Sequence, residues 1–185
     1  MTTVFIAGSM NIKHLHRKVK ERIDNIVASK LSVVVGDADG ADKSIQSYLL
    51  EHGAANTIVY CSGPKPRNNV GDWPVRRVDS NHSPGSRAFF TAKDVEMAKA
   101  ADYGLMIWDA KSTGTLRNII ELLSRKKKSL VFVNKEKEFK TVSDVSHLEA
   151  LVTCMTEHAL RKANEKIRLL ERIEALKHEQ SQMFA

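Results

Sequence analysis

Long apolar runs are missing from this chain, and so is any cysteine pattern. No stretch approaches the ~18 consecutive apolar residues of a membrane-spanning helix. The two cysteines, Cys61 and Cys154, lie far apart and match no metal-ligand spacing, which argues against a zinc ribbon and a disulfide scaffold. Aromatic residues are scarce at 6%, and no aromatic–basic stripe of the kind single-strand binders use to stack bases is visible. No internal repeat or low-complexity tract is present beyond the short run Arg125–Lys128, which excludes a fibrous or solenoid design. The opening residues, MTTVFIAGSM, lack the basic leader and small-residue cleavage site of a secretory signal, so a reducing cytoplasm is the expected compartment.

What is present fits one soluble domain with a short appendage. The chain has 185 residues, 42% hydrophobic and 28% charged, enough to bury a core without staples. Lys and Arg number 29 against 22 Asp and Glu, a net charge of +7. Basic residues gather in 1–30, 61–90 and 111–137, whereas acidic ones collect around 37–42 and 94–109. Such a surface suits a phosphorylated or polyanionic partner, and equally a lysine-solubilised face.

Apolar runs at Val4–Ala7, Leu31–Val35, Thr57–Tyr60, Tyr103–Trp108 and Leu130–Val133 read as buried strands. Amphipathic helices are expected between them. The first has Asn11 as its cap and Ile12, Leu15, Val19, Ile23 and Ile26 on one face. Others cover Gly40–Glu51, Ala92–Ala101 and Thr113–Arg125. Strands apolar throughout, alternating with such helices, predict an α/β fold: a Rossmann-like, doubly wound parallel sheet of about five strands over residues 1–135. All four prolines fall in 62–86, which reads as one long irregular loop. In 136–185, Lys137–Val142 reads as an edge strand. A stripe of Leu148, Val152, Met155, Ala159, Ala163, Ile167 and Leu170 then predicts one long C-terminal helix, for packing or for homo-oligomerisation.

In open α/β sheets ligands bind beyond the carboxyl ends of the strands. Three glycine-containing corners stand there: Gly8-Ser9-Met10, the segment Gly36 to Asp42, and the segment Asp109 to Thr115. Each precedes a helix, where free N–H groups and the helix dipole favour an anion. These corners resemble the SLOG superfamily, which includes the lonely-guy hydrolases and the DNA-processing protein A fold. Gly8-Ser9 is similar to its first turn. Gly36-Asp37-Ala38-Asp39-Gly40-Ala41-Asp42 is similar to its Gly-Gly-Ala-x-Gly-Ala-Asp segment, and Ser112-Thr113-Gly114-Thr115 to its late phosphate loop. The likeness covers about residues 3–135, with its middle stretch closest to a poorly characterised bacterial branch.

The resemblance implies a nucleotide-like ligand and, in the hydrolase branch, cleavage of an N-glycosidic bond of a nucleoside monophosphate. Lonely-guy hydrolases carry glutamates just after Gly-Thr, and nucleoside deoxyribosyltransferases a nucleophilic glutamate. Here Arg117 and Asn118 stand at those places. A neutral amide cannot stabilise oxocarbenium charge, and Glu121 lies a turn deeper, so binding is favoured over catalysis. Asp109 and Asp39 are the carboxylates best placed for any chemistry. Asp109 also reads as a helix cap or a ribose ligand, and Asp42 as a first-turn residue favoured by the dipole.

The expected ligand set is Gly8, Ser9, Met10, Gly36, Asp37, Gly40, Asp42, Lys111, Ser112, Thr113, Gly114, Thr115 and Asn118. Arg67, Asn69 and Trp73 join it from the long loop, and Lys93 or Arg87 for the phosphate. Trp73 reads as part of a lid that stacks on a base, as the anchor pinning the loop, or as both. The seven histidines show no ligand spacing, so no metal and no cofactor are expected. A nucleic-acid-binding module using the basic surface is the alternative reading.

Overall fold

The computed structural model describes residues 1–184. The chain runs β1 (Thr3–Gly8), α1 (Arg17–Ala28), β2 (Ser32–Gly36), α2 (Ala41–Glu51), β3 (Thr57–Ser62), β4 (Val75–Val78) and α3 (Arg87–Ala100). It continues through β5 (Tyr103–Trp108), α4 (Thr113–Ser124), β6 (Lys128–Val133), β7 (Glu138–Val142), α5 (Val145–Val152), α6 (Glu157–Ile167) and α7 (Leu169–Met183). The sheet order is β4-β3-β2-β1-β5-β6-β7, parallel except for β7, which runs antiparallel to β6. This is the expected doubly wound α/β fold: β7 is the expected edge strand, and β4 is a strand beyond the five expected in residues 1–135.

The strands are apolar throughout because both faces are covered. Val4 and Ile6 of β1 face Ile23, Ile45 and Leu49 of α1 and α2. Phe5 and Ala7 face the other way, into a cluster with Met97, Leu116, Ile119 and the C-terminal helices. Strand order reverses between β1 and β5, where Gly8 pairs in register with Ile107. Connections diverge at that point, so a crevice opens at the carboxyl ends of β1 and β5.

Three local expectations change. The first helix starts at Arg17, not after Asn11: His16 is its cap, its Nδ1 accepting from Lys18 N at 3.2 Å. Ile12 is still buried, held in a turn by its N–H to Ser9 O. Within 62–86, Val75–Val78 adds a parallel edge strand to β3, and Ser86 starts α3 at Arg87, a turn and more before Ala92. Edge position and two exposed arginines explain why this strand lacks an apolar signature.

The C-terminal stripe is three helices, not one. Asp144 and Thr156 cap α5 and α6, accepting from His147 N and Ala159 N. Arg168, in the left-handed region at φ 53°, breaks α6 from α7. Leu148, Ala163, Ile167, Leu169 and Ile173 all enter the apolar cluster of the sheet's own face. Packing onto the sheet requires the chain to double back, which a straight rod of that length cannot do. Among the described residues no helix is long and apolar enough to cross a membrane.

Candidate functional site

A cavity of about 970 Å³ opens at the crevice between β1 and β5. Its floor is the corner from Trp108 to α4. Asp109 Oδ1 accepts from Lys111 N at 2.8 Å and Ser112 N at 2.7 Å, folding the chain into a tight turn. Ser112 Oγ then caps α4, accepting from Thr115 N. Ser9 ties this corner to β1: its Oγ accepts from Asp109 N at 3.1 Å and lies 3.3 Å from Thr115 Oγ1. The first N–H groups of α4 have no partner within the helix and carry the positive end of its dipole.

The glycines of the three corners serve different ends. A Cβ at Gly40, which sits at φ 78°, would lie 2.0 Å from Met10 O. At Gly8 it would lie 2.8 Å from both Ala41 Cβ and Ile107 O. These two glycines let β1, β5 and the start of α2 approach each other. Gly114 is the opposite case: a Cβ there would meet only Ser112 Oγ, at 3.9 Å. Nothing in the fold demands glycine at 114, and the space before it is the cavity itself.

One wall is a buried charge network. Asp37 is buried and accepts from Arg67 N (2.9 Å), Nε (3.3 Å) and an Nη (2.9 Å), with Lys93 Nζ at 3.9 Å. The Arg67 guanidinium also lies 4.4 Å from the Phe90 ring centre. Lys93, almost fully buried, donates to Asp94 Oδ1 at 3.0 Å. Burial opposes its charge, but Asp94 and Asp42 outweigh that and hold its pKa above the ordinary lysine value. Asp42 accepts from Ala38 N, and burial pushes its pKa up from 3.8 to about 6 against the pull of Lys93.

The cavity lining takes in Gly8, Met10, Asp42, Arg67, Lys93, Asp109, Lys111, Ser112, Thr113, Gly114, Thr115 and Asn118 of the expected set. The rest of that set does not line it. Ser9 lies beneath the floor, and Gly36 backs onto the Asp42 carboxylate, 2.5 Å from where its Cβ would stand. Gly40 is consumed by the contact with Met10, and Asp37 by Arg67. Asp39 is exposed and accepts from Asn68 Nδ2 at 3.0 Å. Asn69 folds onto Trp73, donating to its O and accepting from its N.

Trp73 settles between its two readings as an anchor. Its indole lies in the cluster on the α1–α2 face, and its Nε1 donates to Ala54 O at 3.0 Å. Glu121, the other carboxylate considered, is taken by Arg125 at 2.7 Å.

Arg87, expected with Lys93 as a phosphate candidate, also lines the cavity, and beyond it the lining holds residues that sequence reasoning does not find. Arg87 donates to Thr113 Oγ1 at 3.3 Å and so stands over the start of α4. Asp94, Phe90 and Thr91 come from α3, and Thr156, His158, Lys162 and Lys166 from the α6 segment. His158, Lys162 and Lys166 are spaced four apart on one ridge of α6. That spacing is visible in sequence, but the sheet-facing position of α6 is not. Six cations (Arg67, Arg87, Lys93, Lys111, Lys162, Lys166) thus meet three carboxylates (Asp42, Asp94, Asp109), and Lys93 lies among two of those three. The arrangement offers an anion seat at α4, bordered by cations, with Asp109 Oδ2 beside it as an acceptor. Among the described residues, no His, Cys, Asp and Glu side chains gather as a metal site requires.

No family model and no curated protein matches the chain. Among solved structures it is similar to DNA processing protein A from Helicobacter pylori, described for its mode of binding single-stranded DNA. The TM-score is 0.50 at 19% sequence identity, covering 70% of this chain and 64% of that one. The chain therefore spans a little under two thirds of that protein's length. The likeness shows a shared architecture: a Rossmann-like α/β fold similar to that of DNA processing protein A.

Proposed function

We propose that this protein binds a single strand of nucleic acid, seating one backbone phosphate at the start of α4. The observation that carries this reading is the openness of Gly114 in a cavity whose lining also holds Arg87, Lys111, Lys162 and Lys166, none of them in an ion pair among the described residues. A phosphate there accepts hydrogen bonds from first-turn N–H groups and gains from the dipole. Arg87, held over the same turn by Thr113, adds a charge-assisted donor. Lys111, Lys162 and Lys166 are exposed on the rim and suit the neighbouring phosphates of a chain.

Two further observations favour a strand. The 62–86 loop is pinned by Trp73 and by the Asp37–Arg67 pair, so it is not a free lid to close over a small ligand. The solved structure of similar fold belongs to a protein that binds single-stranded DNA, a likeness by analogy. Asn118 lines the cavity without charge where the resemblance places a glutamate, so binding is proposed here and glycosidic cleavage is not.

A free nucleotide is the second reading. It is favoured by the cavity volume, which falls in the range of small-molecule sites. Fluorescence anisotropy with labelled oligothymidylate, titrated across salt and competed with mononucleotides, separates the two. A strand ligand gives a steep fall of affinity with salt and weak competition by mononucleotide. Tight, salt-insensitive mononucleotide binding with no oligonucleotide binding would overturn the strand reading.

A further inference from the structure

Among the described residues, the buried polar side chains that line the cleft are Asp42, Lys93, Thr113, Thr115 and Asn118. All but one have partners inside the protein. Asp42 accepts from Ala38 N, Lys93 donates to Asp94, and Thr113 accepts from Arg87. Thr115 Oγ1 lies 3.3 Å from both Ser9 Oγ and Ser112 Oγ. Asn118 is the exception. It is only 6% exposed, and among the described residues neither its amide oxygen nor its amide nitrogen has a hydrogen-bond partner. A buried amide without partners costs stability, and asparagine is a poor residue for the middle of a helix. Asn118 lines the cavity, so a ligand there supplies what the protein does not.

The place of Asn118 on α4 says which part of the ligand it meets. Gly114 and Asn118 are four residues apart, so they share one face of the helix, ~6 Å from each other along its axis. Both line the cavity. With a phosphate seated before Gly114, the sugar or base of the same nucleotide comes next to Asn118. The apolar lining, from Ala7, Phe90, Met97 and Ala159, suits the flat faces of a base better than a hydroxylated sugar. An amide presents an acceptor and a donor side by side, which match an exocyclic amino group next to a ring nitrogen. Asp94 lines the same cavity: its Oδ1 accepts from Lys93, and its Oδ2 is left as an acceptor for the second amino hydrogen. Thymine has no amino group and would turn carbonyl oxygens toward that carboxylate.

We propose that Asn118 reads the edge of one unstacked base, and that the cavity selects a base with an amino group beside a ring nitrogen, cytosine or adenine, over thymine. Single strands can offer such an edge because their bases splay out of the stack. The proposal rests on the strand reading for its ligand. Its readout is a ratio between two strands, which is independent of how tightly either one binds.

The test compares labelled oligodeoxycytidylate and oligothymidylate of about 12 nucleotides, within the range one binding module covers. Both are pyrimidine strands of equal charge, so the phosphate contacts cancel in the ratio. The full wild-type chain is expected to prefer the cytosine strand by about tenfold. In Asn118→Ala the ratio is expected to fall below about twofold. Ligand-free Asn118→Ala is expected to melt no lower than wild type, because the amide holds nothing in the protein. Asn118→Leu, which fills the volume with apolar atoms, is expected to give the same collapse of the ratio.

Equal binding of the two strands by wild type would overturn the proposal, as would a cytosine preference that persists in both variants. Melting temperatures several degrees lower in both variants would overturn it too, because they mark a packing role. A preference between oligocytidylate and oligodeoxycytidylate that vanishes in Asn118→Ala, with no preference between bases, would assign the amide to the sugar 2′-hydroxyl instead. If wild type binds no strand, the strand reading fails by itself, and deoxycytidine and thymidine 5′-monophosphates then decide the base slot. A larger melting shift with the cytosine nucleotide, equalised in Asn118→Ala, keeps it, and equal or absent shifts in wild type remove it.

Discussion

Two segments break the regular strand–helix alternation, residues 62–86 and 145–183, and their roles are the reverse of what their compositions suggest. The first, rich in proline and polar residues, has the look of a mobile cover. It is instead tied down by an indole in the core, an Asx-type clasp from Asn69 and a buried carboxylate beneath Arg67. The second has the look of an independent rod. It is folded onto the sheet and supplies one wall of the cleft. A loop gains order from a few buried, hydrogen-bonded contacts regardless of composition. A helix becomes part of a site when one ridge packs inward and the next faces the ligand.

The sharpest way to break this contrast is Trp73→Ala. Loss of the buried indole is expected to cost about 3–5 kcal/mol of stability in denaturant unfolding, with strand affinity nearly unchanged where the protein is folded. A stable variant with lost affinity would return Trp73 to the ligand. On the shared floor, Gly114→Val is expected to weaken strand binding by about tenfold or more. Its melting temperature should move little, because a Cβ at 114 meets only Ser112 Oγ, at 3.9 Å. A binding isotherm identical to wild type would remove the phosphate from α4.

On the C-terminal side, Lys162→Ala/Lys166→Ala is expected to lower the salt slope by about two, without loss of stability, since both side chains are exposed. A large drop in melting temperature would make the ridge structural, like the loop.

A smaller effect follows from Asp42. Its pKa is raised in the fold, from 3.8 to about 6. Its stabilising contribution is therefore complete below about 3.8 and lost as pH rises through about 6. Between pH 7 and pH 5, wild type is expected to gain in melting temperature relative to Asp42→Asn. Strand affinity is expected to rise a few-fold over the same interval, because protonation removes a negative charge from the cleft lining. Equal pH profiles for the two proteins would exclude Asp42 as the titrating group. The smallest change is expected for Asp109→Asn, since an amide oxygen can still accept from Lys111 N and Ser112 N. A large loss of affinity there would show that the carboxylate charge itself meets the ligand.

Much of the cleft was legible beforehand. Gly8, Gly114 and the run from Asp109 to Thr115 stand at strand ends, and the period of the apolar runs places those ends on one edge. Asp37, Asp39 and Asn69 stand on the expected elements but turn to protein partners rather than into the cleft. A carboxylate in a glycine-rich turn looks the same in sequence whether it meets a ligand or an arginine thirty residues away. The wall from α6 was missed because its ridge of cations signals a solvated face until the helix is docked.

Local chemistry along the chain was enough to determine the alternation of buried strands and amphipathic helices and the glycine-containing corners at the strand ends. These depend on periodicity and on steric rules acting over a few residues. Which charges neutralise each other and which helix closes the cleft were decided only by tertiary packing. Those outcomes are set by distances between residues far apart in the chain, and electrostatic energy depends on those distances rather than on sequence order.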